Sequence, residues 1–203
     1  MSGLYFKYGT MNSSKTANLL MAKHNYEEQG FNVILLKPDT DTRSIKVTSR
    51  VGLSSDCIGI SPDADVREII KRECDNRHDT ISNVVIMVDE AQFLTPVQVN
   101  DLYALSFKNV VMCYGLLTDF RRELFPGSKS LVELADSIQE IKSICRCGKR
   151  AVANARFKNS KFTLAGEQVE IGAEDKYKAL CKECYQKELI NLLAGGNIHE
   201  DNY

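Results

Sequence analysis

No stretch of the chain approaches the roughly 18 consecutive apolar residues that a membrane-spanning helix needs, and the opening MSGLYFKYGT has no charged segment leading into an apolar one. A secretory leader is therefore not expected, and a cytoplasmic protein is. Charge of one sign is lacking too: 26 Lys and Arg stand against 27 Asp and Glu, a formal net charge of -1. That balance offers no broad surface to a polyanion, so nucleic acid is not expected as a partner of the whole protein. Internal repeats and low-complexity tracts are absent. His24, His78 and His199 have no metal-like spacing. Seven cysteines are too few and too unevenly placed for a disulfide scaffold, and an odd number in a reducing compartment points to thiols or metal ligands.

What is present suits one well-buried domain with a small appendage: 203 residues, 43% of them hydrophobic and 26% charged. The run from Leu4 to Tyr8 reads as a buried strand, and TANLLMAKHNYEEQG after it has helical spacing that Gly30 ends. NVILLKP ending at Pro38, NVVIMVD ending at Asp89 and VVMCYG ending at Gly115 are continuous apolar runs, as in parallel strands covered on both faces. Helices are expected at Asp65 to Cys74, Pro96 to Phe107 and Leu131 to Ile141. The alternation predicts an α/β fold, a parallel sheet with helices on both faces. After about residue 140 the segments become short and polar, with no further long apolar strand and with two cysteine pairs. The expected organisation is a main domain at 1–140, a small metal-stapled lobe at 141–192 and a mobile tail at 193–203.

The loop GTMNSSKT, Gly9, Thr10, Met11, Asn12, Ser13, Ser14, Lys15 and Thr16, nearly matches the phosphate-binding pattern G-x-x-x-x-G-K-[ST]. In that pattern successive backbone N–H groups point at phosphates while the lysine and hydroxyl reach phosphate and Mg²⁺. Ser14 stands where the second glycine is expected. The competing reading is a serine-rich helix cap with a solvated lysine. VVIMVDE tips the balance, because a phosphate-loop enzyme places a magnesium carboxylate at the end of a neighbouring apolar strand, here Asp89. Glu90, one residue on, could accept a proton from a substrate hydroxyl or activate water; the pattern alone leaves kinase and hydrolase open.

Cys145 and Cys147 form C-x-C, and Cys181 with Cys184 forms C-x-x-C after thirty-three intervening residues. Four thiolates suit a tetrahedral, structural Zn²⁺ with no open position, with buried free cysteines and an iron–sulfur cluster as the alternatives. Cys57, Cys74 and Cys113 stand singly and read as core or surface thiols. The segment GEQVEIG between the pairs, tethered at both ends, could close over a ligand.

In order, GTMNSSKT, DTR at Asp41 to Arg43, DEAQF at Asp89 to Phe93, YGLLTDFRRELF, C-x-C-G, GEQVEIG and DKY before the second cysteine pair span nearly the whole chain. Together they resemble the type II, cytosolic thymidine kinases, and the C-x-C-G pair is similar to the enterobacterial branch. The resemblance implies a phosphate-loop (RecA-like) parallel sheet as an ATP-binding kinase domain at 1–140, a zinc-binding lasso domain at 141–192, and transfer of the ATP γ-phosphate to the 5′-hydroxyl of thymidine or deoxyuridine in nucleotide salvage. It implies Glu90 as base, Lys15 on phosphate, and Thr16 with Asp89 on Mg²⁺, the ATP side being completed by Asp41, Arg43, Ala91 and Gln92. On the nucleoside side it implies Met11, Phe93, Leu116 and Phe125 around thymine, Phe120 and Tyr177 against the substrate, and a lasso of Gln168, Val169, Glu170, Ile171 and Gly172 bonding the base. Feedback by thymidine triphosphate and a homotetramer are further implications. A regulatory nucleotide-binding protein or an ATPase lacking nucleoside kinase turnover is the alternative.

Overall fold

The computed structural model describes residues 2–38, 45–77, 84–168 and 176–195. They divide into two compact units: residues 2–9, 14–117 and 124–141 form the first, while residues 10–13, 118–123 and those from 142 onward form the second. Asp41, Arg43, Val169, Glu170, Ile171, Gly172, His78, His199 and most of the expected tail lie outside the described residues.

In chain order the first unit holds β1 (Gly3–Tyr8), α1 (Lys15–Glu28), β2 (Val33–Pro38), β3 (Ile45–Thr48), β4 (Ser54–Ile60), α2 (Val66–Asn76) and β5 (Val85–Val88). A 3-10 turn at Ala91–Phe93 follows, then α3 (Pro96–Ser106), β6 (Val110–Gly115), α4 (Pro126–Leu134) and β7 (Ser137–Glu140). Among the described residues seven strands make one sheet in the order β3-β4-β2-β5-β6-β1-β7. Every pairing is parallel except β3 with β4.

The apolar runs are continuous because both faces are covered. Ile34, Leu36, Ile86 and Val88 pack with Val66 and Ile70 of α2, Val99 and Leu102 of α3 and Leu131 of α4. The alternate residues Val33, Leu35, Val85 and Met87 pack on the other face with Leu19 and Leu20 of α1. Each such fully buried side chain contributes about 1.5–3 kcal/mol relative to exposure.

Local signals set the helix starts. The Asp65 carboxylate accepts the Glu68 N–H at 3.1 Å to cap α2. Thr95 and Gln98 form a reciprocal capping box before α3, with Pro96 in its first turn. Gln98 also donates to the Ser61 carbonyl at 2.8 Å, which fixes the chain entering α2.

Two expectations are corrected. The helix placed at Leu131 to Ile141 begins instead at Pro126 and ends at Leu134, and Ser137–Glu140 is an edge strand beside β1. The strand bearing Asp89 does not neighbour the strand leading into the phosphate loop, because β6 pairs with both β1 and β5 and stands between them. Beyond residue 140 the described strands are short, and none is a long apolar run. The second unit contains β8 (Ser143–Ile144), β9 (Arg150–Ala151), β10 (Ala153–Lys158), β11 (Lys161–Phe162), β12 (Lys176–Leu180) and α5 (Lys182–Leu193). β11, β10 and β12 form an antiparallel sheet in that order. Its core is Ala151, Ala153, Ala155, Phe157, Phe162, Leu180, Cys145, Cys181 and Tyr185. Among the described residues no helix is long and apolar enough to cross a membrane.

Candidate active site

β1 delivers the chain into the phosphate loop, and the Gly9 N–H donates to the Gly115 carbonyl at 3.2 Å, the last residue of β6. Asn12 and Ser14 turn the loop with positive φ of 65° and 61°. Ser14 thus takes the left-handed conformation that the expected glycine would adopt without cost. It occupies the position before α1 but makes no side-chain capping bond, so the serine-rich cap does not account for the motif. Lys15 is 9% exposed and not solvated. Burial holds its ammonium below the ordinary value; Glu90 and Asp89 oppose that shift, and the positive charge of Arg50 adds to it.

At the end of β5, Asp89 is buried and accepts a hydrogen bond from the Thr16 hydroxyl at 3.0 Å. The two residues implied for Mg²⁺ are therefore already adjacent, and both offer the hard oxygen donors that this ion takes. Burial, and then the charge of Glu90, pushes the Asp89 carboxyl up to about 6, against the pull of the Thr16 hydroxyl, the Glu90 backbone N–H and Lys15. Glu90 itself has φ of 53°, a backbone state that costs roughly 1–3 kcal/mol outside glycine and collects at functional sites.

Gln92 explains how Glu90 is held. Its amide donates to Glu90 Oε2 at 2.6 Å, and its carbonyl oxygen accepts the Leu116 N–H at 2.9 Å. Ala91 is fully buried. Two glycines let neighbours crowd this turn: a Cβ on Gly115 would meet Gln92 Oε1 at 2.7 Å, and one on Gly127 would meet the Leu94 carbonyl at 2.6 Å. Phe93 stands edge-on to Phe125 with centroids 5.8 Å apart, and Leu116 is half-buried at the end of β6. Lys15, Thr16, Asp89, Glu90, Gln92, Phe93, Leu116 and Phe125 thus all belong to the first unit.

Met11, Phe120, Gln168 and Tyr177 belong to the second unit. There the Met11 N–H donates to the Asn154 carbonyl oxygen at 2.7 Å, and the Asn154 amide donates to the Thr118 carbonyl at 3.2 Å. The Thr10 hydroxyl hydrogen-bonds that of Ser143. The Ser13 hydroxyl is buried with no hydrogen-bond partner among the described residues, an orphan that a phosphate oxygen would satisfy. Tyr177 lies on β12 opposite Arg156 of β10. Phe120 is buried, and its carbonyl accepts the Tyr185 hydroxyl at 2.7 Å. Gln92's grip on Glu90, Arg50, Asp119, Asn154, Arg156 and Tyr185 were not singled out from sequence. For Asn154 and Arg156 the only available signal was a polar residue alternating with alanine in ANARFK.

The sulfurs of Cys145, Cys147, Cys181 and Cys184 all lie within 4.8 Å of one another. Thiolates about 2.3 Å from a central Zn²⁺ would have this spacing, so the donor set fits a closed tetrahedral site. Cys181 caps α5 by accepting the Cys184 N–H at 3.5 Å, and the Gly148 N–H donates to the Cys145 carbonyl at 2.9 Å. Cys74 and Cys113 are buried and Cys57 is half-buried, and none of them is part of this cluster.

A sheet covered on both faces, a buried lysine in a phosphate loop, a paired Thr16 and Asp89, and a four-thiol lobe define a phosphate-loop nucleotide-binding protein. The family model for thymidine kinase matches residues 2–185. A thymidine kinase of Photorhabdus laumondii subsp. laumondii is 39% identical over 196 residues, covering 94% of this chain and 95% of its own. One of Streptococcus gordonii is 41% identical over 196 residues, covering 94% and 100%. One of Zymomonas mobilis subsp. mobilis is 40% identical over 197 residues, covering 95% and 100%. Among solved structures, that of Pif1 helicase from Candida albicans aligns over 71% of this chain and 37% of that one, with a TM-score of 0.41 and 14% identity, too low to inform the fold. The chain belongs to the thymidine kinase family.

Proposed function

We propose that this protein transfers the γ-phosphate of ATP to the 5′-hydroxyl of thymidine, and of deoxyuridine, giving the nucleoside monophosphate with Glu90 as general base. The observation that carries the reading is the carboxylate of Glu90 held at 2.6 Å by Gln92, one residue beyond the Asp89 that pairs with Thr16. Membership of the family supports the reaction class.

In this mechanism the loop from Gly9 to Thr16 binds the phosphates and buried Lys15 takes charge from them. Thr16 and Asp89 would hold Mg²⁺, which when bound supplies charge neutralisation on the phosphates. Glu90 accepts the 5′-hydroxyl proton; the freed oxygen forms a bond to the γ-phosphorus as the bond to the ADP oxygen breaks, its electron pair leaving with ADP. Positioning and charge stabilisation carry most of the acceleration. By the resemblance, Met11, Phe93, Leu116, Phe120, Phe125 and Tyr177, with Gln168 to Gly172, are assigned to the nucleoside. An apolar pocket around the thymine methyl discriminates by only about 1–3 kcal/mol, which leaves deoxyuridine a substrate. Cytosine presents the opposite donor and acceptor pattern and would leave buried groups unpaired.

The cysteine cluster supports a structural Zn²⁺. Asp41 and Arg43 near the phosphates, feedback by thymidine triphosphate, a homotetramer and a cytoplasmic location follow from the resemblance. The test is ADP release with and without thymidine: release that depends on thymidine, with the monophosphate as product, supports the reading, and equal release without it would favour an ATPase.

A further inference from the structure

The turn from Thr118 to Glu123 is closed on itself. Asp119 Oδ1 accepts the N–H groups of Arg121 and Glu123, each at 2.9 Å, and the Asp119 N–H donates to the Glu123 carbonyl at 2.9 Å. Asp119 Oδ2 accepts the Gln168 side-chain amide at 3.3 Å. One buried carboxylate therefore fixes the turn that presents Phe120 and also holds Gln168.

Two guanidinium groups complete the arrangement. Arg121 and Arg156 each lie over the Phe120 ring, with 4.9 Å from guanidinium carbon to ring centroid in both cases. They also take four successive backbone carbonyls in alternation. Arg121 donates to Leu164 at 3.1 Å and to Gly166; Arg156 donates to Ala165 and Glu167, each at 3.3 Å. Arg156 is 1% exposed, and a buried cation is tolerated only when its donors are used and its charge is met. A planar fork that stacks on an aromatic ring while bonding two acceptors meets that demand, and an ammonium group does not reproduce it.

We propose that Arg121 and Arg156 are positioning residues for the nucleoside: a paired clamp that holds the carbonyls of Leu164 to Glu167 and the Phe120 ring in one fixed arrangement. Through it, Phe120 and Gln168 keep a set separation before substrate arrives. This rests on the reading that Phe120 and Gln168 face the nucleoside. Neither arginine touches the reacting atoms, so their loss acts on nucleoside binding and leaves the ATP side unchanged.

The experiment uses the full-length, zinc-loaded enzyme and measures kcat, the KM for thymidine, the KM for ATP and thermal stability. The variants are Arg121→Met, Arg121→Lys, Arg156→Met and Arg156→Lys, beside Phe120→Leu and Gln168→Ala. The methionine variants are expected to raise the thymidine KM by about tenfold or more, as for loss of a charge-assisted hydrogen bond, with the ATP KM within about twofold. Lysine at either position recovers part of the loss. Arg121 is partly exposed, so Arg121→Met keeps the test open should Arg156→Met fail to fold. A folded Arg121→Met enzyme with an unchanged thymidine KM overturns the clamp if Phe120→Leu and Gln168→Ala do raise it. If those two also leave the thymidine KM unchanged, the nucleoside assignment itself fails and the clamp with it. A loss of stability with no change in thymidine KM would mark the arginines as structural only.

Discussion

The Gln92 side-chain amide donates to the Glu90 carboxylate at 2.6 Å while its carbonyl oxygen accepts the Leu116 backbone N–H at 2.9 Å. One buried amide thus ties the proposed base to the residue that follows β6. Gln92→Leu keeps the bulk and removes both bonds. The expected result is a kcat lower by about ten- to a hundredfold, part of the 10²–10⁴ that a positioned base supplies. Steady-state kinetics on the purified variant check it.

Asp89 gives a pH signature. Its carboxyl is raised from 3.8 to about 6 mainly by burial, so the nucleotide-free folded chain binds that proton more tightly than the unfolded chain. Stability from this group is present below the unfolded value and is lost as pH rises through about 6. Asp89→Asn cannot lose it. Its advantage over wild type should grow between about pH 4 and pH 7, to on the order of 3 kcal/mol, while its kinase activity is expected to be lost. Denaturant titrations across that range, without nucleotide or magnesium, measure the gap.

Ser14 already holds the left-handed turn, at φ of 61°. Ser14→Gly relieves a folded-state cost of about 1 kcal/mol and adds unfolded-state entropy of similar size, so stability and ATP KM should both change little. Ser14→Val cannot take that turn without strain and should raise the ATP KM by about tenfold or more. Parallel KM measurements on the two variants separate loop shape from side-chain chemistry.

Removing zinc should act on the second unit, whose small core includes two of the four cysteines. Titrating the thiols with a mercurial should release about one equivalent of zinc, since four sulfurs within 4.8 Å of one another would share one tetrahedral ion. Thymidine binding should be lost with it, because the folding energy of such a lobe is largely metal-binding energy. Metal analysis with calorimetric thymidine binding checks both.

The fold was readable wherever strands are buried on both faces. β2, β5 and β6 appear as unbroken apolar runs because α1 covers one side and α2, α3 and α4 the other. The β3 and β4 hairpin did not stand out, since SSDC alternates exposed with half-buried residues. α4 was misplaced because its buried face begins with Gly127, Ser128 and Ser130, small residues that carry no apolar period. The phosphate-side residues were legible because their motif fixes type and spacing together. Arg156 and Asn154 were not, because a polar residue whose partners are distant in sequence looks like a solvated one until the chain is folded.

The most direct measurement is transfer of the labelled γ-phosphate from ATP to thymidine by wild type and by Glu90→Gln, with ATP binding measured on both. Transfer by wild type that falls by about a hundredfold or more in Glu90→Gln, while ATP binding stays the same, is the predicted result. Equal transfer by the two proteins, or no labelled monophosphate from wild type, would contradict the account.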